Sequence, residues 1–244
     1  MTAPALSPLS PLSSPGPLSS LGRPSALGRP GPLCPPAEAV SPDGLTVRAR
    51  HHHNPYGYLL SGSALDSLLL DLGLRRAANI WRHHHAEPAA APRDPYPRLA
   101  MGFVLLDPTA DPWVRHEEAV LGAITIGDEG HRFLPNAAAK AAGHRRLGRN
   151  YGEAVHTDPH LCGDGAFRYG HSAEVRGLIV GASAQSPDQD LYEASLLAQD
   201  FIAALADRHA AWENATGPTD WLAPDDTPAP GTTAMTAFFA AQAP

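Results

Sequence analysis

Thirteen histidines in 244 residues make imidazole the side chain with the most chemistry to offer in this chain. A neutral imidazole ligates divalent metals and haem iron, and it titrates near neutral pH. His51-His52-His53 and His83-His84-His85 each place three such rings in a row. Consecutive residues of a helix point in different directions, so neither run can turn all its rings onto one ion. Each run reads as a solvated polar patch with incidental metal affinity. His144 has a better setting. It follows Lys140 by four residues in the Ala-rich stretch 136–147, where small side chains leave room for a flat ligand. Arg145, Arg146 and Arg149 stand beside it and can meet carboxylates, haem propionates among them, through charge-assisted hydrogen bonds. The same residues also read as a surface helix end whose basic side chains answer the helix dipole. His116, His131, His156, His160 and His171 fall around turns at strand ends, and any of them can serve as an axial ligand. His156, Asp158 and His160 form a looser metal-binding set.

Other chemistries are poorly served. Ser183 lies in Gly-Ala-Ser-Ala and not in a nucleophile-elbow pattern, and no phosphate loop or dinucleotide fingerprint occurs. Cys34 and Cys162 are too few for a disulfide framework or a Cys-x-x-Cys zinc site, which fits a reducing compartment. A net charge of −7 argues against holding nucleic acid or an anionic membrane by bulk charge. No apolar run approaches the ~20 residues of a membrane span, and the start of the chain lacks the pattern of a secretory signal. The expected location is the cytoplasm.

The elements that must position these residues follow from pattern. Residues 1–44 are dense in Pro, Ser, Leu and Gly, so a disordered leader is expected, with polyproline character suited to a Pro-recognising partner. A short strand at 45–50 precedes the first histidine run. Ser63, with Asp66 three residues on, opens a helix whose Leu65, Leu68, Leu69 and Leu72 form one stripe, continued by Ile80 and Trp81 to about Arg82. Strands at 99–106 and 119–126 pair as a hairpin across a long connection. The Ala-rich helix 136–147 stops at Gly148. Residues 151–170 read as loop, and strands at 167–175 and 177–180 lead to a strongly signalled helix. Ser186 is its N-cap, Pro187 fits the first position, and Gln189 completes a capping box. The helix runs to about Trp212. Residues 214–244 return to Pro, Thr, Ala and Gly, with a short helix around Met235 to Phe239 that suits docking on another subunit. This element order describes an α+β sandwich with an antiparallel sheet. The domain proper is 45–213.

Gly177-Leu-Ile-Val-Gly181-Ala-Ser183-Ala-Gln-Ser-Pro-Asp-Gln-Asp190 resembles the C-terminal signature of the GlcG/HbpS-type haem-binding family. That signature is a glycine-rich strand and turn followed by an acidic helix start with a fixed Asp. Lys140-Ala141 resembles the family's Lys-Ala helix, and Asp107 its Val-Asp turn. Ala184 stands where the family has Gly, and Ala182 where it has Val. The resemblance covers residues 63–209. It implies a profilin-like α+β fold, symmetric homo-oligomers, and binding or degradation of haem or related tetrapyrroles. Lys140, His144, Arg145, His131, His116 and His171 are then the candidate cofactor-binding residues, with His144 the candidate axial ligand. The expected function is haem or tetrapyrrole binding, as sensor, carrier or haem-dependent enzyme. The alternatives are an oligomeric small-molecule-binding or structural protein without haem, and a His-metal enzyme.

Overall fold

The strand, tight turn and capped helix of residues 178–216 form the frame on which the rest of the chain is assembled. In the computed structural model, residues 35–87, 95–157 and 170–217 are described, with residues 234, 235 and 237. Ten elements follow in order: β1 (Ala37–Val40), β2 (Thr46–His51), α1 (Gly62–His84), β3 (Met101–Leu106), β4 (Val120–Ile126), α2 (Leu134–Leu147), α3 (Tyr151–Thr157), β5 (Ser172–Val175), β6 (Leu178–Ser183) and α4 (Pro187–Thr216). A 3-10 turn, Gly130–Phe133, leads into α2. The six strands form one sheet in the order β1-β2-β4-β3-β6-β5, with every neighbouring pair antiparallel. This is an α+β fold.

The sheet is covered on both faces, and β3 shows why. All six of its residues are buried. Successive side chains of a strand point to opposite faces. Met101, Phe103 and Leu105 therefore join the main core with α1 and α4, through Leu69, Leu72, Ile80, Leu197 and Phe201. Val104 and Leu106 join a smaller core with Ala137 and Ala141 of α2. Gly181 lets α2 approach. A Cβ there would stand 2.0 Å from the Ala137 carbonyl oxygen, so only glycine permits this contact between helix and strand.

Several elements differ from expectation. The leader expected over 1–44 ends earlier, because β1 and its turn belong to the sheet. Asp43-Gly44 makes the hairpin turn, with Gly44 at φ 83°, Ser41 and Leu45 exchanging hydrogen bonds, and Glu38 paired with Arg48 at 2.5 Å. The remainder of the leader, residues 1–34, lies outside the described residues. The first helix is capped by Ser61, whose hydroxyl accepts from Ala64 N at 3.2 Å, and not by Ser63. Asp66 is no cap partner: it accepts from His51 N and meets His51 Nδ1 at 2.7 Å, tying α1 to the end of β2. Residues 151–157, expected as loop, form α3. Gly152 lies so close to the His171 ring that a Cβ would meet it at 2.6 Å, and this packing supports a helix too short to stand alone. Residues 158–169, including Asp158, His160 and Cys162, lie outside the described residues, as do most of those around Met235 to Phe239. α4 runs past Trp212 to Thr216. Among the described residues, no helix is long and apolar enough to cross a membrane.

Candidate functional site

The strongest concentration of chemistry lies where α2, β6 and the start of α4 meet. Lys140 Nζ donates to Asp190 Oδ2 at 2.6 Å and to the Ala182 carbonyl at 2.8 Å. Their side chains are 1% and 4% exposed. The other carboxylate oxygen of Asp190 accepts the N–H groups of Ala184 (3.1 Å) and Gln185 (2.9 Å). Burial pushes the Asp190 carboxyl upward, against the opposing pull of Lys140 and these two amides. The local sequence dictates the arrangement. Ser186 Oγ accepts from Gln189 N while Gln189 Oε1 accepts from Ser186 N, so the capping box fixes the entry of α4 and with it the direction of Asp190. Ala184 sits at φ 155°, a region that disfavours any residue with a Cβ. The aspartate holds this strained turn in place.

A cleft of about 260 Å³ opens over the pair, lined by Arg98, Phe133, Asn136, Lys140, Ser183, Ala184, Gln185, Pro187 and Asp190. Arg98 is set by reciprocal bonds. Its Nη1 donates to the Ala184 carbonyl at 2.5 Å, Gln185 Oε1 accepts from Arg98 N, and Gln185 Nε2 donates to Arg98 O and Ala100 O. Its guanidinium lies 5.8 Å from the centre of the Phe133 ring. A larger, more open cleft of about 390 Å³, which Arg98 also lines, carries Asp128 and Glu129 but no buried charge.

The six residues expected to bind a cofactor do not converge there. Lys140 lines the cleft, but its ammonium is engaged by Asp190. Arg145 clamps the long β3–β4 connection, donating to Val114 O at 2.8 Å and Asp111 O at 2.5 Å, with His116 Nδ1 3.3 Å away. Burial first, then Arg145, lowers the pKa of His116. His131 is exposed in the 3-10 turn and meets Asp128 O at 3.1 Å. His144 is 4% exposed, its Nδ1 is 2.8 Å from Ser172 Oγ, and burial lowers its pKa against the charges of Glu174 and Glu153. His171 packs against Gly152, with Nδ1 buried and unpaired among the described residues. Among the described residues, no histidine lines the cleft.

The histidine runs are largely at the surface, with His52 and His85 exposed and only His83 buried, but several of their rings make specific contacts. Besides the His51–Asp66 contact, His53 Nε2 stands 3.4 Å from Asp107. His83 stacks on Tyr96 with ring centres 4.9 Å apart, His84 Nδ1 meets Tyr96 O, and His85 Nδ1 meets Trp81 O. Among the described residues, no three His, Cys, Asp or Glu side chains gather as a metal site. A second buried acid escaped the sequence reading. Glu193, fully buried, accepts from Tyr96 Oη at 2.8 Å and from Asn79 Nδ2, with Arg76 3.5 Å away. Burial raises its pKa against these partners. Arg98 and Gln185 were also missed, since an isolated Arg after Pro97 carries no motif. Comparison with protein-family models, curated proteins and solved structures finds no match to this chain.

Proposed function

We propose that the protein binds a small organic ligand in the cleft over Lys140 and Asp190, as a tetrapyrrole-binding carrier or sensor of the GlcG/HbpS type. One observation carries this reading. The two sequence motifs behind the resemblance lie fifty residues apart, and their charged members meet at 2.6 Å under the cleft. Ala184 adds support: where the family pattern has glycine, the backbone adopts a φ that favours glycine. The donors at the cleft are a guanidinium, an ammonium, two amides and a hydroxyl. They suit carboxylates, which tetrapyrroles carry as propionates.

Among the described residues that line it there is no imidazole or thiolate for iron, and about 260 Å³ is below the volume of sites that enclose drug-sized ligands. The cleft therefore does not fit an axially ligated haem, and a macrocycle would enter it by an edge. Assembly as a homo-oligomer belongs to the same reading and is checked by analytical ultracentrifugation. The direct test is titration with haemin and with metal-free protoporphyrin IX, followed by the Soret band and by porphyrin fluorescence. Saturable binding of both is expected, with little change in His144→Ala. If neither porphyrin binds, the tetrapyrrole reading is wrong.

A further inference from the structure

We infer that Arg98 is the anchor of the cleft for a ligand carboxylate, and that recognition rests on this acid group rather than on a metal centre. The inference deepens the proposed function and rests on its placing the ligand in this cleft. Lys140 and Arg98 bring two positive charges to the lining and Asp190 one negative charge, so the site attracts anions. Asp190 is satisfied by Lys140 and two amides and offers the ligand little. Arg98 is exposed, and a single N–H is committed to the Ala184 carbonyl. Its remaining N–H groups have no acceptor among the described residues, and no acid there pairs with it. A guanidinium presents several donors in a planar fork that matches a carboxylate.

The deeper lining repeats the preference. Lys140 uses two of the three N–H donors of an ammonium. Ser183 is 6% exposed, and its hydroxyl makes no hydrogen bond to a described residue. Asn136 adds an amide, while Phe133 and Pro187 supply apolar walls. Asp128 and Glu129, in the second cleft that Arg98 also lines, repel an anion there and favour its placement beside Lys140. Size narrows the ligand further. At roughly 30 Å³ per water, the cleft holds about nine waters, the bulk of a small aromatic acid or of one propionate arm with its ring edge.

Benzoate and its neutral isostere benzamide are the probes, titrated into the full-length chain with amide signals of residues 98–100, 183–186 and 188–190 followed by NMR. Benzoate is expected to shift these signals saturably, and benzamide to bind at least about tenfold more weakly. Arg98→Ala, at an exposed position that leaves the core intact, is expected to weaken benzoate at least about tenfold. Arg98→Lys, keeping charge without the fork, should weaken it less. Equal binding of benzamide, an unchanged Arg98→Ala variant, or no saturable response to benzoate overturns the anchor. Haemin distinguishes the source of the carboxylate. Haemin binding without a benzoate response removes the anchor alone, whereas benzoate binding without porphyrin binding upholds the anchor and removes the tetrapyrrole reading.

Discussion

Replacing either member of the Lys140–Asp190 pair should destabilise the protein, with opposite dependence on pH. The pair is almost fully buried, and removing one partner of such a pair costs about 3–5 kcal/mol because a charge is left without its counterion. Lys140→Met keeps the volume of the stem but leaves the Ala182 carbonyl unpaired and Asp190 unbalanced. Asp190 retains two backbone donors, and burial already biases its carboxyl toward the neutral form, so it can take up a proton. The lower end of the range is expected, about 3 kcal/mol at neutral pH, or a Tm lower by roughly 6–12 °C. Asp190→Asn preserves shape and the acceptor for both amides, yet turns an NH2 group toward the ammonium. The upper end, about 5 kcal/mol, is expected.

The sign of the pH dependence separates the two variants. Without Lys140, the Asp190 carboxyl rises further above its unfolded value, so the folded state binds the extra proton. Stability then falls as pH rises through that window, and the deficit of Lys140→Met grows from about pH 5 to about pH 8. Asp190→Asn strands a cation instead, and its deficit shrinks at the alkaline end. The double variant strands neither charge and should lose at least about 2 kcal/mol less than the sum of the singles. Urea denaturation followed by tryptophan fluorescence measures all three. Parallel pH profiles, or single deficits below about 1 kcal/mol, would show that water reaches the pair and refute the reasoning.

Gly181→Ala should cost about 3 kcal/mol, since its methyl group would drive α2 off the sheet at Ala137; a loss below about 1 kcal/mol in denaturant would mean that the helix simply shifts. Ala184→Gly should be neutral or stabilising by up to about 1 kcal/mol, because relief of backbone strain offsets both the entropy of glycine and the lost buried methyl. A loss of 2 kcal/mol or more in a thermal melt would contradict strain at this turn. Glu193→Gln keeps an acceptor for Tyr96 and Asn79 while removing an acid that burial raises, and wild-type stability falls as pH rises through such a raised value. The Tm advantage of wild type over this variant should therefore shrink from about pH 4 to about pH 7, and a constant gap in calorimetry would speak against it.

The sequence disclosed what short-range rules govern. The capping box at Ser186 and Gln189, the glycine stop at Gly148 and the β3–β4 pairing all depend on neighbours in the chain, and all are present. The first hairpin was equally local, but the surrounding prolines outweighed its Asp43-Gly44 turn. α3 was hidden for a different reason: a seven-residue segment containing Gly152 becomes helical only through packing on α2 and His171. The pairing of Lys140 with Asp190 is tertiary, and only the resemblance placed the two in related motifs. The contacts of the histidines were not legible either: His83 stacks on Tyr96, His144 meets Ser172 and His51 meets Asp66, pairings between distant residues that no spacing encodes.

Two features of the cleft run against stability, and their coincidence bears on function. A buried ion pair can often be replaced by apolar residues of similar volume with a gain of about 1–4 kcal/mol. An alanine at φ 155° costs about 1–3 kcal/mol where glycine would not. One carboxylate serves both, closing the Ala184 turn six residues before it and neutralising Lys140. Apart from the buried Glu193 network, the sheet is covered mainly by apolar packing, as between β3 and both helix layers. A sheet and helix junction that needed only to hold together could be built the same way at this point. Instead it keeps an ammonium with one donor beyond its two bonds, a hydroxyl without a hydrogen bond to any described residue and an exposed guanidinium around one opening. On the reading proposed above, a ligand carboxylate would take the place of water on these donors.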